Sequence, residues 1–134
     1  MVGYSGTPLL KKLGIRENYL IRVYNAPTEY FNWLAPLPDG VQVKPPDTKG
    51  LDFIHIFVAH TKEFEKEFSN AKKQLKKGGM LWVSWPKKAS KVPTDLDENV
   101  IRNTGLKKGL VDVKVCAVDE VWSGLKFVFR LSDR

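Results

Sequence analysis

The sequence predicts an α/β domain built on an open, doubly wound, mostly parallel sheet that ends in an antiparallel hairpin. Three observations predict it. Residues 51–59 are nearly continuously apolar, through Phe53, Ile54, Ile56, Phe57 and Val58, as suits a central parallel strand covered on both faces. Strand-like segments alternate with segments of helical spacing, the pattern of parallel strands joined by right-handed helical crossovers. The last two strand-like segments, 111–118 and 121–131, are too close in sequence for a parallel crossover, so they pair antiparallel.

Each element follows from local signals. Residues 7–13 read as a short helix with Pro8 at its first position and Gly14 at its end. Gly3-Tyr4-Ser5-Gly6 before it reads as an arm or turn. Residues 19–24 form the first strand, followed by Asn25-Ala26-Pro27. Thr28 caps a short helix carrying Tyr30, Phe31, Trp33 and Leu34, and Pro36 stops it. Residues 41–44 are a short strand that Pro45-Pro46 ends and marks as an edge.

After the central strand, residues 61–77 read as a helix with the stripe Phe64, Phe68, Ala71 and Leu75, closed by Gly78-Gly79. Residues 80–85 are a second buried strand. Following the loop 86–93, Thr94 caps a helix whose first turn holds Asp95, Asp97 and Glu98 and which ends at Gly105. Ser123 and Gly124 are assigned to the hairpin turn or a bulge.

Composition bounds the function. A chain of 134 residues with 43% hydrophobic content is one domain, residues 1–134, with its own core. The single cysteine, Cys116, excludes an internal disulfide and fits a reducing compartment. No window reaches the roughly 18 apolar residues of a membrane span, and no apolar run follows Lys11 and Lys12 as in a signal peptide. A cytoplasmic location is the expectation.

The formal charge of +7 suggests a polyanionic partner. Much of that excess has a structural explanation. Lys72, Lys73, Lys76 and Lys77 fall in the last turn of one predicted helix and Lys11 and Lys12 in that of another, where cations complement the helix dipole. Lys87, Lys88 and Lys91, in the loop after a strand, have no such explanation.

Leu75-Lys76-Lys77-Gly78-Gly79-Met80-Leu81-Trp82-Val83 resembles the helix-to-strand passage of class I methyltransferases, whose plan also ends in an antiparallel hairpin. More closely, the chain resembles a bacterial domain family of unassigned function. Three stretches carry that likeness: Gly3-Tyr4-Ser5-Gly6-Thr7-Pro8-Leu9, Gly79-Met80-Leu81-Trp82-Val83-Ser84-Trp85-Pro86-Lys87-Lys88-Ala89-Ser90, and Val118-Asp119-Glu120-Val121-Trp122-Ser123-Gly124-Leu125-Lys126-Phe127-Val128. The resemblance implies a methyltransferase-like fold and brings no assigned reaction.

One departure matters. The glycine-rich loop after the first strand of such folds, whose backbone approaches the cofactor, is absent. No glycine lies between Gly14 and Gly40, and Pro27 lacks a backbone donor. The second strand ends in Lys44-Pro45 without a ribose-binding carboxylate; Asp47 lies beyond both prolines. No cofactor is therefore expected, S-adenosylmethionine included.

In open parallel sheets ligands bind beyond the carboxyl ends of the strands. That rim would gather Asn25-Ala26-Pro27, His60-Thr61, residues 85–90 and the hairpin tip 119–123. The expected site is an anion pocket. Lys87, Lys88, Ser90 and the helix end at Thr94 hold the anion. Trp85 and Trp122 form an aromatic wall, and Asn25, His60 and Asp119 supply polar contacts. Trp85-Pro86 is a candidate cis peptide.

The bland readings stand beside these. The lysine loop can be simply solvated, with both tryptophans packed over the core. His55 reads as a hydrogen-bonded core histidine, and His60 as a solvent residue at a helix entry. Cys116 has no evident base beside it, and Asp119-Glu120 fit an ordinary charged hairpin tip. No metal-ligand spacing, nucleophile elbow or phosphate loop is present.

The leading expectation is a non-methylating domain that binds a small anionic or nucleotide-like ligand, more a binder than an enzyme. The alternatives are a weak nucleic-acid-binding module and an atypical S-adenosylmethionine-dependent methyltransferase. The terminal hairpin is also a possible oligomer edge.

Overall fold

A computed structural model describes residues 8–134; the glycine-rich arm at residues 3–6 and Thr7 lie outside the described residues. The helices are α1 (Leu9–Leu13), α2 (Tyr30–Leu34), α3 (Thr61–Gln74) and α4 (Glu98–Lys107). The strands are β1 (Leu20–Tyr24), β2 (Gln42–Val43), β3 (Leu51–Phe57), β4 (Leu75–Pro86), β5 (Leu110–Ala117) and β6 (Trp122–Phe129). They form one six-stranded sheet in the order β2-β1-β3-β4-β6-β5. β1, β2, β3 and β4 are mutually parallel, and β6 runs antiparallel to both β4 and β5.

The sheet buries both faces because its central strands are apolar on both. In β3, Ile54 and Ile56 enter a core with Phe64, Phe68 and Ala71 of α3 and Ile101 of α4. Phe53 and Phe57 point the other way, to Leu13 of α1 and Tyr30 and Leu34 of α2. The chain steps from β1 outward to the edge strand β2, then returns to β3 beside β1 and proceeds toward β4. The direction of winding thus reverses between β1 and β3, placing α2 and α3 on opposite faces.

Several boundaries differ from the sequence reading, for identifiable reasons. α3 ends at Gln74, and Leu75-Lys76-Lys77 already belong to β4. Asp52 holds that segment extended: its Oδ1 pairs with Lys76 Nζ at 2.5 Å, and its Oδ2 accepts the Leu20 amide at 2.8 Å. Gly79 thus lies inside a strand, where an added Cβ would stand 2.8 Å from the Leu51 carbonyl oxygen.

α4 starts at Glu98, capped by Asp97, whose carboxylate accepts the Val100 amide. Gly105 is inside α4, against Phe127, and does not end it. Thr28 does not cap α2: the N-cap position is Glu29, with no side-chain cap bond. Pro8 is the N-cap of α1, one position ahead of its expected place. Gly124 lies within β6, paired with Ser84 and Cys116, not in the turn.

Candidate functional site

The reversal of winding makes the carboxyl ends of β1 and β3 the switch point of the sheet, where ligands of open parallel sheets bind. Register places Tyr24 beside Ile56, so Asn25 and the Ala59-His60 turn emerge side by side. Asn25 takes a left-handed backbone, φ 60, a conformation open to glycine and, among other residues, chiefly to asparagine and aspartate. It is exposed, and its side chain has no partner among the described residues.

His60 is the N-cap residue of α3 but makes no cap bond. Asp95 does that work from across the loop, its Oδ1 accepting the Thr61 amide at 2.7 Å. The same oxygen lies 3.8 Å from His60 Nδ1, with both side chains 61% exposed. The loop is pinned further by the Thr94 hydroxyl, which donates to the Ala59 carbonyl at 2.5 Å and accepts the Leu96 amide. Thr94 is therefore a brace for the rim and offers no helix N-terminus to a ligand.

The carboxyl end of β4 meets the hairpin tip. Pro86 is in register with Trp122, and the Lys87 amide donates to Val121 O. Lys87 Nζ donates to Asp119 O at 2.6 Å. Asp119 Oδ1 accepts the amides of Val121 and Trp122, which shapes the turn. Ser90 Oγ donates to Lys87 O and accepts the Val92 amide. Of the expected anion ligands, Lys87, Ser90 and Thr94 thus have structural bonds, while Lys88 is exposed; Asp119, expected as a polar contact, is occupied by the turn.

The aromatic wall does not form. Trp85 is in register with Ser123 and joins the α3–α4 core at 6% exposure. Trp122, one pairing step away, joins the α1–α2 side, edge-on to Phe57 at 5.1 Å. Neighbouring positions of a strand face opposite ways, so the two indoles cannot line one pocket. The Trp85-Pro86 bond is not cis; among the described residues the cis bond is Ala35-Pro36.

Beneath the rim runs a buried polar chain whose flanking members the sequence did not announce. The Tyr30 hydroxyl lies 2.8 Å from His55 Nδ1, and Ser84 Oγ 2.7 Å from His55 Nε2. The ring stacks on Phe57 with centroids 4.3 Å apart. Complete burial drives the His55 pKa down to about 3, keeping the imidazole neutral. Burial also holds the Tyr30 hydroxyl well above its ordinary value, and the Cys116 thiol is raised by its own burial. A neutral imidazole has one donor and one acceptor nitrogen, and two hydroxyls satisfy both. His55 is fully enclosed, so it braces the core and does not reach a ligand.

Two further features bear on what this end of the sheet can hold. At the end of β2, Arg22 Nη1 donates to Lys44 O at 3.0 Å, putting cations where a ribose-binding carboxylate would be required. Among the described residues, no cluster of three or more His, Cys, Asp or Glu could hold a metal, and no helix is long and apolar enough to cross a membrane.

Comparison with solved structures fits this architecture. A SAM-dependent methyltransferase from Aquifex aeolicus matches 89% of this chain and 86% of its own, with a TM-score of 0.60 at 14% identity. The DhpI–SAH complex matches 90% and 81%, with a TM-score of 0.62 at 13% identity. Fibrillarin from Aeropyrum pernix, with natively bound S-adenosyl-L-methionine, matches 90% and 72%, with a TM-score of 0.55 at 16% identity. No protein-family model matches the chain, and no curated protein sequence does. The fold is the Rossmann-like fold of class I SAM-dependent methyltransferases.

Proposed function

We propose that the chain is an atypical class I methyltransferase domain that takes an S-adenosyl nucleoside at the switch point between β1 and β3. The observation that carries this reading is Asn25. Directly after β1, at the point where winding reverses, it supplies the left-handed backbone that glycine ordinarily supplies in nucleotide-binding turns. Of the similar structures, DhpI is in complex with SAH and Aeropyrum pernix fibrillarin holds natively bound S-adenosyl-L-methionine. S-adenosylmethionine supplies an electrophilic methyl group when bound. Asn25 would contact the nucleoside, and His60 beside Asp95 would supply a polar contact at the mouth of the site.

The fit is partial. The left-handed turn after β1 suits a nucleoside, but the β2 end lacks the carboxylate and carries Lys44 and Arg22. That mismatch favours a second reading: a non-methylating domain that holds a small anionic ligand on the same rim, with Lys88 as its exposed cation.

Calorimetry and thermal shift with SAM and SAH separate the two. Binding of either, with a raised melting point, is expected. It should survive in Asn25→Gly, which keeps the backbone, and weaken in Asn25→Val, whose β-branched side chain opposes a positive φ. No heat and no shift with either compound would overturn the methyltransferase reading. A shift with pyrophosphate that Lys88→Gln abolishes would establish the second.

A further inference from the structure

The end of the molecule opposite this rim carries an open depression of about 500 Å3. It is lined by Ser69, Lys72, Lys73, Leu75, Lys77, Lys108 and Phe129. The last turn of α3, the first residues of β4, the residue after α4 and the last residue of β6 converge there. Four of its seven lining residues are lysines and none is acidic, and no lining lysine forms a salt bridge among the described residues.

Several of these cations are held in place. Lys72 Nζ donates to Lys108 O at 2.5 Å, and Lys108 Nζ to Ser69 Oγ at 2.9 Å. Lys77 Nζ stands 4.5 Å from the centre of the Phe129 ring. The positive strip continues past the depression. Arg130 donates to Leu106 O, and Arg134 to Phe129 O. Arg130 and Lys72 also approach each other at Gly109, where an added Cβ would meet both.

The carbonyls at the ends of α3 and α4 account for part of this charge, because cations complement a helix C-terminus. They account for Lys73 as well, in the last turn of α3, but not for Lys77, which lies in β4, is exposed and donates no hydrogen bond to a carbonyl among the described residues. Like charges gathered without carboxylates repel one another, and a bound anion relieves that repulsion. The strip is longer than one phosphate needs and is open on its outer side. Phe129 is buried beneath Lys77, so this surface meets a ligand through its cations alone, as contact with a phosphate backbone requires.

We propose that this strip is a docking surface for the phosphate backbone of a single-stranded nucleic acid. It is independent of the adenosyl site, which lies at the other end of the sheet.

The test is fluorescence anisotropy with a labelled oligo(dT) strand over a series of salt concentrations. Lys73→Gln/Lys77→Gln removes two charges and leaves the bonds of Lys72 and Lys108 intact. Lys62→Gln/Lys66→Gln, at the other end of α3, makes the same change in net charge as a control. The first variant should bind about tenfold more weakly at low salt. Its log–log salt slope should flatten by about 1.4, two phosphates at about 0.7 each for single strands. The control should bind as the wild type does. Absence of binding by the wild type at low salt overturns the proposal, as does an equal loss in both variants. Tripolyphosphate binding more tightly than the oligonucleotide also overturns it, since the site would then be one for free polyphosphates.

Discussion

Replacing His55 by glutamine should remove a proton-linked penalty on folding that the wild type carries below neutral pH. His55 is enclosed by Tyr30, Ser84, Phe57, Phe53 and Trp82, and burial lowers its pKa from 6.5 to about 3. The unfolded chain therefore binds one more proton than the folded chain between those two values. Stability is full above pH 6.5 and falls as the pH is lowered toward 3. One pKa unit corresponds to about 1.4 kcal/mol, so this residue alone should cost about 3 kcal/mol between pH 7.5 and 4.5.

Glutamine preserves polar contact with both hydroxyls, does not titrate, and gives up the stacking on Phe57. The variant should be less stable at pH 7.5, and its deficit should shrink by about 3 kcal/mol by pH 4.5. Urea unfolding followed by tryptophan fluorescence at each pH measures both chains. Stability curves that run parallel across this range would refute the assignment of a neutral, enclosed imidazole.

Other perturbations follow from equally local geometry. Gly105→Ala would put a Cβ 2.1 Å from Phe127 Cε1. The overlap should outweigh the roughly 1 kcal/mol of helix propensity gained and give a net loss of about 2 kcal/mol in a denaturant midpoint. Asp97→Ala removes the α4 cap and should cost about 1 kcal/mol. Tyr30→Phe leaves His55 Nδ1 without a partner and should cost about 1–3 kcal/mol in the same assay.

Much of the fold was legible in the sequence because the core pattern is one-dimensional. The run Phe53 to Val58 announces a two-faced strand wherever it folds, and the short link before Trp122 forces a hairpin. The α3–β4 boundary was less legible, because Leu75 fits both the helical stripe and the following strand. Asp52, a distant residue, decides it by holding Lys76 extended. Thr94 and Asp97 are both competent caps; the contact of Thr94 with Ala59 O, thirty-five positions away, selects Asp97.

The candidate site was legible as a rim but not as a pocket. Strand direction alone brings Asn25, His60, Lys87, Lys88 and Trp122 to one end. Which way each side chain points depends on cross-strand register, which no local signal encodes; one step of register separates Trp85 from Trp122. The hydrogen bonds that occupy Lys87 and Asp119 were hidden for the same reason.

The position of β6 between β4 and β5 has a consequence for synthesis on the ribosome. β5 touches the growing sheet only through a strand made after it, so β4 keeps an open flank while β5 waits beside it. Any chain stalled before Phe129 would present that flank, rich in Leu81 and Val83, to its neighbours. Translation that is rapid through the final segment, or a chaperone that shields β4 until it emerges, would guard this protein against intermolecular strand pairing.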